Sequence, residues 1–541
     1  MLYPTYLAMD FAGNQSPLAG TANFILKERV ASTRTSASAY YGSYNTIGGR
    51  FFHQRAAGNL HLFFGGHHED SDYTYYGTFD DDGNRNSWLN MDDDPEYEKT
   101  KMYMRGTYFL DDSGQRASLY AHRTWHTGDA GRINRDFGHI YTTLNAGYTN
   151  PISDKATLQA KVGYRDYVRR WEEDGIWEDP PSRELRSEDG VDQSVMPADL
   201  SLSIITREAD VLTVGADYQL ASYETSREIG EISPGNDATA TAFGFYAQEE
   251  LRLDALILRA GARYNIISHD IDLFQGSLPG DDSNSWNKVL YSAGARYNQS
   301  DDLSVFANIG TSFKAPSLKS VGGTIPIDSK DSGHLPNPDI KPESGTNIDA
   351  GVNFRPMEGV QVGLRGFNIV IDDQIVQIEV PVDPDDPAQS QDINAGNTTT
   401  NGVELEITHR LDETVEWFAN YTYTNAEVKE HEDENQVGAK INFVPQNAIG
   451  AGVHLTFSQG LRATVTVQSY SGIYQDINKD SDPLDGYMLV NARIEQRVRT
   501  QDGYDLSLYL EPYNITNQAF EMPWGFQDPG FSVNGGLMVS F

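Results

Sequence analysis

The chain has 541 residues, with 78 acidic against 41 basic side chains and a formal net charge of −37. Such a chain would be repelled by nucleic-acid phosphates, so we expect no nucleic-acid partner. Cysteine is absent, which excludes disulfides, thiolate metal sites and a cysteine nucleophile. No apolar run approaches 18 residues, so the sequence predicts no transmembrane helix.

A period-2 alternation of apolar and polar residues runs through the chain from residue 31 onward. Clear examples begin at Leu256 (LILRAGARY), Val415 (VEWFANYTY) and Leu461 (LRATVTVQSY), each with its apolar residues on one face. β-Branched and aromatic residues suit such strands. About 22 segments follow this pattern, with predicted starts near residues 31, 45, 59, 98, 115, 135, 154, 190, 209, 239, 255, 284, 301, 344, 359, 396, 413, 444, 459, 484, 503 and 528.

The connections between these segments alternate between tight turns and long polar loops. Tight turns include DDSGQ, RLDA and RTQDG. A soluble β-sandwich has no reason to place its long loops at one end, whereas outer-membrane barrels have short periplasmic turns and longer extracellular loops. The sequence therefore predicts an all-β fold, a transmembrane antiparallel β-barrel of about 22 strands over residues 31–541. Its long loops are predicted near residues 70–97, 171–189, 224–238, 317–343, 380–395 and 428–443.

Several motifs are typical of one family. SFKAPSL, from Ser312, followed by NPDIKPE resembles the FRAP and NPNL-type pair of TonB-dependent outer-membrane receptors, with Lys314 in place of arginine and Asp339 in place of the second asparagine. The tail from Tyr513 is similar to the family's ending. Its terminal Phe541 resembles the signal for the barrel assembly machinery. PLAGTANFILKERV, before the first strand, resembles the end of the family's plug domain.

The resemblance implies a receptor in the outer membrane of a Gram-negative bacterium, and not an enzyme. Such a receptor captures a scarce, bulky ligand, most often a ferric siderophore, and admits it when the TonB complex pulls on the plug. It implies no resident cofactor, and contact with outer-membrane lipids and lipopolysaccharide. A passive pore without a plug, built on the same barrel, is the alternative from a different class.

Residues 1–30 would be a remnant of the C-terminal end of the plug domain. Three explanations of this short segment stay open: a reading frame that starts at an internal methionine, a fragment of a longer protein, and a barrel that works without its own plug. An empty lumen of this width would leak, which favours a longer protein.

The segment from Phe313 to Glu343 is the candidate ligand-binding loop. Pro316 ends the preceding strand because proline has no backbone donor. Glycines between prolines predict a mobile segment at 317–336 that closes over a ligand. His334 favours haem as an alternative ligand, because haem receptors of the family place an axial histidine in this loop. The expected contact residues are Phe313, Lys314, Pro316, His334, Asn337, Pro338, Asp339 and Glu343.

An anionic ferric chelate would also need basic residues deeper in the lumen, for which the candidates are Arg105, Arg259 and Arg263. The acidic stretches 76–98 and 171–190 are interpreted as solvated loop surfaces. Cation bridges to lipopolysaccharide phosphates and attraction of a cationic ligand are the alternatives.

Histidine pairs in the sequence do not predict a metal site. His67 and His68 are adjacent, so a strand directs them to opposite faces. His122 and His126 share a face but would lie about 13 Å apart at the rise of a strand.

Overall fold

The computed structural model describes residues 27–72, 96–132, 135–174, 185–207, 209–273, 283–323, 334–380, 389–394, 396–431, 433–501, 503–520, 528 and 530–541. Most of the expected plug remnant, residues 1–26, lies outside this range. The same is true of most of the predicted loop at 70–97 and of the centre of the loop at 171–189.

Strands dominate the described residues, and one short helix interrupts them. Their bounds are β1 Arg34–Gly42, β2 Ile47–Ala57, β3 Leu60–Ser71, β4 Tyr97–Phe109, β5 Arg116–Arg132, β6 Arg135–Ser153, β7 Ala156–Asp174, β8 Leu185–Ile205, β9 Val211–Ile229, β10 Glu231–Leu253, β11 Leu256–Leu273, β12 Ser283–Asn298, β13 Leu303–Lys314, α1 Leu318–Gly322, β14 His334–Leu335, β15 Glu343–Phe354, β16 Val360–Asp372, β17 Ile375–Val380, β18 Gln389–Asn394, β19 Asn397–Arg410, β20 Val415–Glu430, β21 Asn447–Thr456, β22 Leu461–Ser471, β23 Tyr487–Gln501, β24 Tyr504–Tyr513 and β25 Ser532–Ser540.

Within the described part of the chain, 22 of these strands form one antiparallel sheet. Each barrel strand pairs with the next barrel strand along the chain, and β1 pairs with β25 from Ser36↔Ser540 to Gly42↔Asn534. This last pairing closes the sheet into a barrel. The predicted fold class and strand number are confirmed. Except for β8 and β10, the predicted starts lie within a few residues of the observed ones.

The two faces of the barrel wall follow the alternation in the sequence. On β4, Met102 and Met104 are exposed on the outer face. Tyr103 and Arg105, which alternate with them along the strand, face the lumen. Val465, in the middle of β22, is exposed on the outer face in the same way. Only alternate residues need to be apolar in such a wall, because the others line the interior.

The predicted long loop at 224–238 is wrong. β9 continues to Ile229 and β10 begins at Glu231, so the two strands form one long hairpin that turns at Gly230. Gly230 has a φ of +73°, a left-handed conformation that glycine adopts without steric cost. Polar residues occupy both faces of this part of the hairpin, so the apolar alternation that identifies a strand is lost although the ladder continues.

The two ends of the barrel differ in their connections. We call the end with short turns, such as the one between β10 and β11, the turn end, and the opposite end the loop end. The described connection from Asp373 to Gly396 at the loop end carries β17 and β18, which pair with β14 in a separate three-stranded sheet. Among the described residues, no helix is long and apolar enough to cross a membrane.

Candidate functional site

The described part of the loop after β13 folds into the loop end of the barrel. Phe313 is 3% exposed, and Pro316 belongs to the fully buried side chains. In α1, Leu318 and Val321 have no exposed surface and pack in a cluster with inward residues of β8 to β11, such as Tyr223. Residues 317–323 are thus packed against the barrel wall in this structure, and the predicted movement of the segment 317–336 over a ligand stays a prediction. Residues 324–333 of that segment lie outside the described residues, and His334 near its end is buried.

A carboxylate from the neighbouring connection holds α1 in place. Asp392 Oδ2, on β18, accepts a hydrogen bond of 2.6 Å from Ser320 Oγ and lies 3.3 Å from His334 Nε2. The backbone carbonyl of Asp392 accepts a hydrogen bond of 2.9 Å from Asn337 Nδ2. We call these four residues, Ser320, His334, Asn337 and Asp392, the clamp. It joins the two loop-end connections that flank β15 and β16.

The clamp keeps Asp392 ionised. Burial alone would raise the pKa of the Asp392 carboxyl, but the adjacent His334 ring and the hydrogen bond from Ser320 outweigh it and hold the pKa below the ordinary value of 3.8. His334 is 3% exposed, and its Nδ1 lies 3.1 Å from Ser390 Oγ. Its two ring nitrogens thus face protein groups, an arrangement that does not favour an axial role towards haem.

The two feet of the loop are joined by charge. Lys314 and Glu343 form the last cross-strand pair of β13 and β15, with Lys314 Nζ 3.4 Å from Glu343 Oε2. Glu343 Oε1 also accepts a hydrogen bond of 3.0 Å from the backbone amide of Ile375. Among the predicted contact residues, only Pro338 and Asp339 are exposed. The structure therefore brings the predicted loop residues together, mainly as a support for α1.

The three predicted lumenal arginines lie apart from this loop and each has a carboxylate partner. Arg105 Nη2 lies 3.1 Å from Glu28 Oε1, and Arg259 Nε lies 2.6 Å from Glu250 Oε2. The partners of Arg263 are Asp217, at 2.5 and 2.8 Å, and Asn265. Since their charges are balanced locally, these arginines offer little net attraction to an anionic ligand.

Sequence reasoning missed a different set of basic residues on the lumenal face of β4 to β7. Four of these residues lie side by side across the strands, because Lys99 pairs with His126, His126 with His139, and His139 with Arg169. The neighbouring rows carry Lys101, Tyr141 and Tyr167 on one side, and Tyr97, Phe137 and Trp171 on the other. We call these ten residues, together with Arg165, the basic wall.

Aromatic contacts give the basic wall a fixed shape. The rings of Tyr141 and Tyr167 stack at 4.7 Å with an interplanar angle of 24°. Tyr167 Oη lies 2.9 Å from His139 Nδ1, and the Trp171 ring lies edge-on to the His139 ring at 6.5 Å. Buried aromatic pairs of this kind lose little freedom when a ligand binds. The wall therefore presents rigid aromatic faces next to cationic groups.

Glu69 lies opposite Lys99 across the ladder, but three cations of the basic wall form no close ion pair. Among the described residues, no carboxylate oxygen lies within 4.0 Å of a side-chain nitrogen of Lys99, Lys101 or Arg169. The signal in the sequence was the period-2 spacing of basic residues in KTKMYMR and RDYVRRW, opposite lipid-facing residues such as Met102. Which segments lie side by side could not be known without the strand pairing.

The histidines singled out in the sequence act as members of hydrogen-bonded pairs. His68 Nδ1 lies 2.9 Å from Thr100 Oγ1 on the outer face, and His122 Nε2 lies 3.1 Å from Thr124 Oγ1 on the lumenal face. Within the part of the chain that the structure describes, no three histidine, aspartate or glutamate side chains form a group that could hold a metal ion.

Phe541 lies at the seam of the barrel. Its backbone amide donates to Thr35 O at 2.9 Å, and its carbonyl accepts from the Thr35 amide at 2.6 Å. The side chain is 61% exposed on the outer face, in line with Leu537. Its role as an assembly signal stays a prediction.

Comparisons with known proteins agree with this fold. A family model described as TonB dependent receptor-like, beta-barrel, matches residues 87–515. The ferrioxamine B receptor of Salmonella typhimurium is 26% identical over 334 residues, which cover 57% of this chain and 44% of that protein. The ferric-pyoverdine M114 receptor PbuA of Pseudomonas sp. (strain M114) is 25% identical over 272 residues, which cover 47% of this chain and 30% of that protein. These matches span less than half of each relative.

Solved structures of similar shape have lower sequence identity. The copper transporter OprC has a TM-score of 0.75 at 15% identity, over 95% of this chain and 81% of that chain. The siderophore receptor PiuA from Acinetobacter baumannii has a TM-score of 0.74 at 13% identity, over 95% of this chain and 82% of that chain. At such identities the likeness shows the fold alone.

Proposed function

The chain belongs to the TonB-dependent receptors, a family of outer-membrane receptors and transporters rather than enzymes, and from this premise we propose that it takes up a ferric siderophore. More narrowly, we propose that the ligand is an anionic ferric chelate with aromatic groups. The observation that carries this proposal is the basic wall, with Lys99, Lys101 and Arg169 beside the stacked rings of Tyr141 and Tyr167.

The chemistry of the wall suits such a chelate. A lumen with low-dielectric walls focuses the field of its charges, so a one-sided cationic surface raises the local concentration of an anionic ligand. Catecholate and other aromatic chelating groups stack on rings that are already held in place. The names of two relatives, a ferrioxamine B receptor and a ferric-pyoverdine receptor, support the broader class, a ferric siderophore.

The proposed energy source is the TonB complex, acting through a plug domain inside the barrel. The residues directly before β1 support a plug that leaves along the lumenal wall at the turn end. Glu28 lies 3.1 Å from Arg105 and 2.6 Å from Arg116, and the Val30 amide donates to His61 Nδ1 at 2.9 Å. The Arg29 guanidinium lies 3.9 Å from the centre of the Phe109 ring.

Adjacent arginines on β7 provide a matched test. Arg169 faces the lumen in the basic wall, whereas Arg170 faces outward and pairs with Asp192 and Glu188. We expect Arg169→Ala to weaken binding of a ferric tricatecholate to the refolded full chain about tenfold, or about 1.4 kcal/mol, and Arg170→Ala to leave it unchanged. Quenching of tryptophan fluorescence would give the affinities.

The charge of the ligand is tested in the same experiment. The anionic ferric tricatecholate should bind more tightly than ferrioxamine B, which is cationic, and the difference should shrink at high salt. Equal binding of the two complexes, or equal effects of the two arginine variants, would refute the role of the basic wall.

A further inference from the structure

Four metal-ligating side chains converge on the lumenal face of β1, β3 and β4, beside the basic wall. Tyr40 Oη lies 2.5 Å from Glu69 Oε2 and 2.8 Å from His67 Nε2. Tyr97 Oη donates to the other carboxylate oxygen, Glu69 Oε1, at 3.0 Å. His67 Nε2 is 3.9 Å from Glu69 Oε2. We call Tyr40, His67, Glu69 and Tyr97 the tyrosine cluster.

The fold makes room for this cluster at one glycine. Tyr40 pairs across the ladder with Gly48, and a Cβ at Gly48 would lie 2.3 Å from the ring and hydroxyl of Tyr40. The ring can therefore lie flat across β2 and extend its oxygen to His67 and Glu69 on β3. Gly48 in turn pairs with Glu69. Tyr40 is 6% exposed, so its hydroxyl is held inside the wall rather than in the open lumen.

The donor set and its spacing match a hard, six-coordinate cation. In an octahedral site with bonds of about 2.0–2.1 Å, neighbouring donors lie about 2.9 Å apart and opposite donors about 4.1 Å apart. Tyr40 Oη lies 2.5 Å from Glu69 Oε2 and 2.8 Å from His67 Nε2, near the spacing of neighbouring donors, and His67 Nε2 lies 3.9 Å from the same Oε2, near that of opposite donors. Tyr97 Oη reaches the other oxygen of this carboxylate, Oε1, at 3.0 Å. Phenolate, carboxylate and imidazole together suit iron, since oxygen donors select hard cations and imidazole is an accepted ligand of iron.

We propose that the tyrosine cluster binds a ferric ion directly, together with a small bidentate oxyanion. The protein supplies four donors: one oxygen from each tyrosine, one from Glu69, and His67 Nε2. Two of six positions are left for the anion. Arg50 lies opposite His67 on β2, and Lys101 and Lys99 lie opposite His67 and Glu69 on β4. These three cations would repel a bare metal ion but hold an anion bound to it.

The charges and protons balance in this step. Binding breaks the O–H bonds of Tyr40 and Tyr97, and their two protons pass to the solvent. His67 moves its remaining proton to Nδ1, so that Nε2 offers a lone pair and no further proton is released. Two phenolates and the Glu69 carboxylate neutralise the three charges of Fe³⁺.

The test uses the refolded full chain in detergent, with Fe³⁺ supplied as its nitrilotriacetate complex in the presence of bicarbonate. We expect one ferric ion per chain and a visible phenolate-to-iron charge-transfer band. The two phenols and a bicarbonate that binds as carbonate release protons, and the freed nitrilotriacetate takes one up, so the net release should be about two protons per ion. Tyr40→Phe and Tyr97→Phe should each weaken the band, and the double variant should abolish it. The matched control is Tyr103→Phe, because Tyr103 also faces the lumen from β4 but lies outside the cluster.

A second variant separates geometry from donor count. Gly48→Ala keeps all four donors but displaces the Tyr40 ring, so it should also lose the band. Heat-modifiable migration on gels would show that each variant has formed its barrel. Iron that binds without a visible band, or a band that persists in the double tyrosine variant, would overturn the proposal.

The tyrosine cluster shares Tyr97 with the basic wall and lies beside its Lys99 and Lys101, so Arg169 is the residue that separates this test from that of the proposed siderophore uptake. Arg169→Ala should keep the ferric band even where it loses the ferric tricatecholate, because Arg169 on β7 lies four strands away from Glu69 on β3 along the row.

Discussion

The clamp makes a sharp prediction about α1. Asp392→Ala removes the acceptor of Ser320 Oγ at 2.6 Å and the charged neighbour of His334 at 3.3 Å. Both side chains are 3% exposed, so water does not replace the lost partner without local opening. An unpaired buried polar group costs about 1–3 kcal/mol, so the two together should cost about 3 kcal/mol. This corresponds to about hundredfold more frequent opening of α1.

Hydrogen exchange measured by mass spectrometry would detect this opening. The informative amides are those of Val321 and Gly323, which donate to Ser317 O and Lys319 O. Their exchange should accelerate about hundredfold in Asp392→Ala, while β22 exchanges as in the parent. Asp339→Ala is the control, since Asp339 is an exposed carboxylate in the same loop. Unchanged exchange in α1 would show that burial of Leu318 and Val321 alone holds the helix.

Acid gives a second readout of the same contact. The pKa of Asp392 is lowered in the folded protein, so its stabilisation is complete above the ordinary value of 3.8 and is lost as the pH falls through the folded pKa. After correction for intrinsic exchange rates, the protection of α1 should stay constant from neutral pH to about pH 5 and fall only in stronger acid. A loss of protection near neutral pH would contradict this assignment.

Two further predictions concern the barrel wall. Val465→Arg, on the outer face, should make the free energy of folding into lipid bilayers less favourable by about 2–4 kcal/mol. Thr466→Arg, on the lumenal face, should be tolerated, and equal costs of the two substitutions would contradict the register. Asp217→Ala leaves the guanidinium of Arg263, which is 6% exposed, without its bidentate partner. The free energy of unfolding measured in urea should fall by about 3–5 kcal/mol. The double variant Asp217→Ala, Arg263→Met should recover most of that loss, because it also removes the buried charge. If the double variant is as unstable as Asp217→Ala alone, the loss of stability comes from side-chain packing and not from the unpaired charge.

The barrel could be predicted from the sequence because lipid imposes a local rule. In a strand such as β22, every second residue faces hydrocarbon, so the alternation around Val465 is visible without any knowledge of its neighbours. The full length of the β9–β10 hairpin could not be predicted in this way, because the part next to the Gly230 turn has polar residues on both faces. In that part the strands are stabilised by backbone hydrogen bonds to their neighbours, and the sequence gives no sign of this pairing.

The candidate site depends on long-range pairing and so was less accessible. Lys99, His126 and Arg169 lie in three separate segments, and only the register of β4 to β7 brings them into one row. The arginines chosen from the sequence, such as Arg263, satisfy the same inward alternation, but their carboxylate partners come from other strands. α1 is too short to give a periodic signal. Its one local sign was the capping of the Ser320 amide by Ser317 Oγ at 2.9 Å.

The clamp and the basic wall together give a physical role to the loop that carries SFKAPSL and NPDIKPE. Val191 pairs with Arg169 across β7 and β8, and it belongs to the buried cluster that includes Leu318 and Val321. The residues that α1 covers thus begin on β8, one strand beyond Arg169 on β7. The Arg169 side chain itself is half-buried. In the described part of the chain, α1 packs on the β8 to β11 side of the mouth. Under the proposed function, we expect a ligand that enters this end to bind on the cationic side, where an anion gains most from the field of Lys99, Lys101 and Arg169.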